Sequence, residues 1–71
     1  MDEFVLIQFV DDRMVFVDDT PSGSTNTVIT VQRGTHDFDL GEPKNYKPGS
    51  RQRAVFGTTK DKPMVLKFTK V

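Results

Sequence analysis

The chain predicts an all-β protein, a small antiparallel two-sheet β-sandwich of about six strands with no substantial helix. Three observations carry this expectation. Short stretches rich in β-branched and aromatic residues alternate with period two, as strands with one covered face do. Turn-forming residues punctuate these stretches every several positions. No segment sustains the 3.6-residue apolar periodicity that a helix packed on a core requires.

Glu3 to Val10 sets Val5, Ile7 and Phe9 on one face and Phe4, Leu6, Gln8 and Val10 on the other, which predicts a strand largely covered on both sides. Asp11-Asp12 breaks the pattern before Arg13 to Val17 resumes it, so the two strands are expected to form a tight hairpin. Asp18 to Asn26 contains Pro21, Gly23 and several hydroxyl residues and is expected as a polar loop. Thr27 to Gln32 alternates Val28 and Thr30 against Ile29 and Val31. Arg33-Gly34 then supplies a glycine able to take positive φ, and Thr35 to Leu40 returns with His36, Phe38 and Leu40 inward, predicting a second hairpin. Gly41 to Arg51 is rich in Gly, Pro and Asn and is expected as a long connection crossing between sheets. Gln52 to Gly57, with apolar Ala54, Val55 and Phe56, and Met64 to Thr69, with Met64, Leu66 and Phe68 inward, complete the set around the turn Thr58 to Pro63.

Seventy-one residues make one domain, 1–71, which buries only about 60–65% of the surface its unfolded chain exposes. Without cysteine there are no disulfides and no cysteine-based zinc site, so six Phe and their aliphatic neighbours must supply the stability. The longest apolar run, Phe4 to Ile7, is far below the roughly 18–20 residues that span a bilayer; no membrane insertion is expected, and the chain reads as a soluble domain. Net charge is zero but lopsided: residues 1–43 hold nine acids against two bases, −7, and residues 44–71 hold eight bases against one acid, +7. This polarity either steers a charged partner or pairs early strands with late ones, the second being the simpler expectation. Exposed sheet edges leave a monomer or a weak edge-strand dimer as the expected states.

His36 is the only histidine, which excludes a two-histidine metal site. A relay could be named from Ser22 or Ser24, His36 and Asp37 or Asp39, but adjacent strand residues point to opposite faces, so Asp37 cannot orient His36 simply. On the Phe38 face, His36 is expected as a packed, hydrogen-bonded residue at the core edge whose pKa is lowered by burial. No catalytic residue and no cofactor is expected. Asp11, Asp12, Asp18 and Asp19, with Asp37 and Asp39, could gather around calcium, although their spacing matches no calcium-loop pattern. The basic half is interleaved with Tyr46, Phe56 and Phe68, which makes a small OB-like nucleic-acid-binding domain the alternative reading. Alternation turns Phe68 inward, however, and leaves Tyr46 as the one stacking platform. The expected recognition surface is therefore loops 18–26 and 41–51, with Tyr46 at its centre and Lys44, Lys47, Arg51 and Arg53 around it; otherwise Tyr46 is a lid over the sandwich edge.

Val15-Phe16-Val17-Asp18-Asp19, Gly23-Ser24-Thr25, Val28 to Val31, Gly34-Thr35-His36, Asn45-Tyr46 and Met64 to Phe68 follow in an order that resembles the PEGA domain, a small β-sandwich module of bacterial and archaeal proteins. That family has Val-x-Val-Asp-Gly at the first of these places. Asp11-Asp12-Arg13-Met14 stand where its naming tetrapeptide would, Thr25-Asn26 where Thr-Pro is usual, and Asn45 where a Gly precedes the Tyr. The resemblance implies a non-catalytic binding or structural accessory module, often attached to envelope or surface proteins, with a protein or carbohydrate partner. It carries over no fixed ligand and no catalytic residue.

Overall fold

Which side chains fill the core follows from the period-two alternation, and the computed structural model, which describes all 71 residues, bears out the all-β expectation with nine strands and no helix. They are β1 (Asp2–Gln8), β2 (Met14–Val17), β3 (Thr20–Ser24), β4 (Val28–Gln32), β5 (Gly34–Asp39), β6 (Tyr46–Lys47), β7 (Arg51–Val55), β8 (Met64–Lys67) and β9 (Thr69–Lys70). A three-stranded sheet β4-β1-β8 and a four-stranded sheet β3-β2-β5-β7 enclose the core, and β6 and β9 form a separate two-stranded ribbon. The first sheet contributes Val5, Ile7, Ile29, Val31 and Leu66, with Phe9 and Phe68 just past its strands; the second contributes Val15, Val17, Phe38 and Val55, with Leu40 and Tyr46 beside them. No helix is long and apolar enough to cross a membrane.

Pairing differs from expectation. β1 bonds to β4 and β8 rather than to β2, and β5 bonds to β2 and β7 rather than to β4, so neither expected hairpin forms. Asp11-Asp12 and Arg33-Gly34 instead carry the chain from one sheet to the other. The physical reason is that both flanking strands have one apolar face, and crossing between sheets lets those faces meet over the core. The β1–β8 pair is also parallel, against the antiparallel expectation. β1 is buried along Glu3, Val5 and Ile7 but only half-buried along Phe4 and Leu6, so its second face is not fully covered.

The region 18–26 is not a loop. Asp18 and Asp19, with φ of 51° and 65°, make a two-residue turn of the type I′ hand, and Thr20–Ser24 returns as an edge strand along β2. Polar composition hid this strand, but an edge position accepts Pro21, which lacks a donor. Gly23 is needed because a Cβ there would collide with the Ile29 side chain of the facing sheet. The connection 41–51 does not cross between sheets either. It joins β5 to β7, which pair directly, and loops out through β6, with cis bonds at Glu42–Pro43 and Lys47–Pro48. At the end of β7, Val55 is fully buried, whereas Phe56 is 66% exposed because the chain turns away at Gly57.

Early and late strands do adjoin, as β1–β8 and β5–β7. Of the three ion pairs, though, only Lys70–Asp11 joins the basic half to the acidic half; Arg33–Glu3 and His36–Asp18 lie within the first half.

Candidate functional site

β1 and β8 run side by side through Gln8↔Lys67, and the Phe68 amide donates to the Gln8 carbonyl at 3.0 Å. Beyond that bond the strands part, because Thr69–Lys70 turns to pair with β6. An open groove of about 630 Å³ lies at the parting, lined by Gln8, Phe9 and Val10 on one side, Lys67, Phe68, Thr69 and Lys70 on the other, with Asn26. Its volume falls in the range of small-ligand clefts.

The floor is apolar and backed by a ring stack. Phe9 and Phe68 each meet Tyr46 edge-on, with centroids 6.2 and 5.6 Å apart and interplanar angles of 81° and 85°. Tyr46 is 4% exposed, so the ring is not the exposed platform expected of it but the lid; its hydroxyl donates to the Gly41 carbonyl at 2.9 Å and accepts from the Leu40 amide at 3.2 Å. Arg13, which sequence reasoning passed over, holds the lid down. Its guanidinium lies 5.1 Å from the Tyr46 ring centre and 5.9 Å from that of Phe9. It donates to Asn45 Oδ1 at 2.6 Å and to the carbonyls of Leu40, Gly41 and Pro43 at 3.1, 3.3 and 2.8 Å.

Asn26 closes the β4 side of the groove. With φ of 64°, it turns its amide onto Phe9, accepting from the N–H at 3.2 Å and donating to the C=O at 2.9 Å, in place of a partner strand. Thr25 beside it is buried, accepting from the Arg13 amide and donating to the Asp11 carbonyl, both at 2.8 Å. The signal for Asn26 lay in the sequence as an asparagine, which tolerates positive φ, between two strand patterns. The rim is cationic. Lys67 is exposed, and Lys70 reaches Asp11 at 2.8 Å.

The basic residues expected around Tyr46 do not converge on its ring. Lys44 and Lys47 are exposed on either side of it, Arg51 donates to the Lys67 carbonyl at 2.9 Å, and Arg53 lies opposite His36 on β7. None of the four lines the groove. The four aspartates expected for calcium do not form a cluster: Asp11 holds Lys70, Asp12 Oδ1 accepts from Asn26 at 3.3 Å, Asp18 holds His36, Asp19 sits beside it in the β2–β3 turn, and no three acidic or histidine side chains come together.

At the opposite end, His36 sits against Asp18 Oδ2 and the Gln32 carbonyl, each at 2.6 Å from a ring nitrogen. Both partners are acceptors, so both nitrogens are best satisfied as donors, in the imidazolium form. The hydrogen bond to Asp18 raises the His36 pKa and outweighs burial, which acts the other way. The expected lowering is thus overturned by a carboxylate brought in by the β2–β3 turn. Asp18 is lowered in return, mainly by the same bond. Glu3, 2% exposed on the inner face of β1, accepts from the Thr58 hydroxyl at 2.6 Å and amide at 2.8 Å and from Arg33 at 3.3 Å; the Thr58 hydroxyl bond leads in lowering its pKa.

Comparison with protein-family models, curated proteins and solved structures finds no match for this chain.

Proposed function

We propose that this chain is a non-catalytic binding module that takes a protein or carbohydrate partner in the groove between β1 and β8–β9. The observation that carries the reading is the groove itself: an open groove that exposes Val10 and Lys67 above the buried Phe9–Tyr46–Phe68 stack. The contact surface thereby moves away from the ranges 18–26 and 41–51, of which only Asn26 lines the groove. The placement of strong polar groups supports a binding role, since His36, Glu3 and Arg13 are each engaged in holding backbone or neighbouring side chains.

An accessory role in an envelope or surface protein rests on the PEGA resemblance. Asp19 takes a positive φ where that family has a glycine, as any two-residue turn of this hand requires. The OB-like nucleic-acid alternative lacks its platform: Tyr46 and Phe68 are 4% and 2% exposed. Phe56, the exposed ring, lies beside Thr58 at the start of β1, at the far end of the strand from Lys67 and Lys70.

The test is amide chemical-shift mapping against separate panels of peptides, oligosaccharides and oligonucleotides. The expected outcome is a response from a peptide or oligosaccharide, centred on residues 8–10 and 67–70 and weakened by Lys67→Glu. A response confined to other surfaces, or to oligonucleotides, would refute the reading.

A further inference from the structure

We infer that a second copy of this chain docks face to face on the outer side of the β4-β1-β8 sheet, forming a weak dimer in which the two β1 strands run antiparallel. The surface is separate from the groove. Opposite the buried Val5 and Ile7, β1 turns Asp2, Phe4, Leu6 and Gln8 outward; β4 turns out Val28, Thr30 and Gln32, and β8 turns out Val65 and Lys67. The register sets Val28, Leu6 and Val65 in one row across the three strands, with Phe4 beside Thr30 in a neighbouring row. Val28 and Val65 are 44% and 51% exposed, and Phe4 and Leu6 are half-buried.

The middle of this face carries no charge in a chain that is 28% charged: its ionic side chains are Asp2 at one end and Lys67, opposite Gln8, at the other. An apolar centre with a charged rim is the composition of an interface. The other sheet presents no such surface. There Asp39 lies opposite Phe16, Asp37 shares its face of β5, and Gly41 packs against the Phe16 ring.

The order of residues along β1 identifies the occupant as a second copy. Sheets packed face to face keep their strands within about 30° of one another, which leaves a two-fold axis either across β1 or along it. An axis across β1, level with Val5, sets Phe4 over the second copy's Leu6 and Leu6 over its Phe4, as an isologous contact requires. The same rotation brings Asp2 over the second copy's Gln8, beside its Lys67, and does so twice. The Met1 amino group reaches Gln32 on the β4 side of Asp2, whereas the second copy's Lys67 arrives on the β8 side. An axis along β1 would instead set Asp2 over Asp2, so charge selects the antiparallel arrangement. Seven residues by three strands, at about 3.4 Å per residue and about 4.8 Å between strands, present roughly 340 Å² per copy. That is less than half of the roughly 800 Å² each partner buries in a standard interface, so a dissociation constant of about 0.1–1 mM is expected.

The test is sedimentation velocity with side-chain chemical shifts on the intact chain, from micromolar to millimolar concentration at low salt. Sedimentation should rise toward that of a dimer, with shifts gathered on Phe4, Leu6, Val28 and Val65. Leu6→Lys, which sets a charge at the centre of the contact, should weaken association at least about 10-fold. Asp2→Lys and Lys67→Asp should each weaken self-association about 3- to 10-fold, and an equimolar mixture of the two should restore it, because only unlike copies then meet with opposite charges. A chain that stays monomeric throughout, or associates equally well with Leu6→Lys, would overturn the inference. So would a mixture no better than either single variant, or association that slows hydrogen exchange only along the edge strands β3 and β7. None of these outcomes bears on the groove, whose test is the separate ligand panel.

Discussion

At the end of the sandwich where β1 begins, strong polar groups hold one another: Glu3 takes Thr58 and Arg33, and His36 bridges Asp18 and Gln32. At the end where β1 leaves its sheet, the ring stack is equally well satisfied beneath the surface, but Lys67 and Val10 above it are not. Each end draws the two sheets together, one by charge-assisted bonds and the other by Arg13 and aromatic packing. The difference is that the first end leaves little for a partner to bind. Satisfied polar groups mark scaffold, and unsatisfied ones beside a stiff apolar floor mark the place for recognition.

The largest effect should come from the floor. Tyr46→Ala removes the ring that Phe9, Phe68 and Arg13 all pack against and should cost about 3–5 kcal/mol of stability by chemical denaturation, as large aromatic truncations do. A loss below about 1 kcal/mol would show that Tyr46 is no structural lid and weaken the contrast between a rigid floor and a free rim. Thr25→Val tests the strap beside it: the Arg13 amide and the Asp11 carbonyl both lose their partner, so about 1–3 kcal/mol should be lost. An unchanged denaturation midpoint would break the assignment of Thr25 as a connector.

The smallest effect belongs to the His36 end and depends on pH. His36 is raised above its ordinary value near 6.5, so its contribution is fully present below 6.5 and fades as pH rises through the raised value. Asp18 is lowered below 3.8, so its contribution is present above 3.8 and fades as pH falls through the lowered value. Arg53, opposite His36 on β7, opposes the imidazolium, and the Asp18 carboxylate in contact with it prevails. The thermal midpoint should be higher at about pH 5.5 than at about pH 8.5, and His36→Asn should shrink that difference. A midpoint that rises with pH in the wild type and is unaffected by the substitution would refute the bridge.

Much of the core was legible before any coordinates. Phe38, Leu40, Leu66 and Phe68 are buried on the faces expected to turn inward, and Val5 with Ile7, and Ile29 with Val31, share a buried face as alternation grouped them. Glu3 escaped notice because its position on that face conflicts with its charge, and only Thr58 and Arg33, distant in sequence, resolve the conflict. β3 escaped because Thr-Pro-Ser-Gly-Ser has the composition of a loop, and an edge strand needs neither apolar faces nor a full set of donors. The candidate site was the least visible part. Tyr46 drew attention as an aromatic among turn residues, yet it lies under the floor, and the groove above is made by residues that look like ordinary strand ends.

By itself the sequence determined that this chain is built of short strands, and it identified most of the side chains that point inward. Both are local properties, set by the period-two backbone and the hydrophobicity of each residue. Only the tertiary structure decided which strands are neighbours, because Asp11-Asp12 and Arg33-Gly34 suit a hairpin and a crossing equally, and the choice falls to where apolar faces can meet. It also decided the groove, which opens because β9 leaves β1 for β6, a competition between partners more than twenty residues apart.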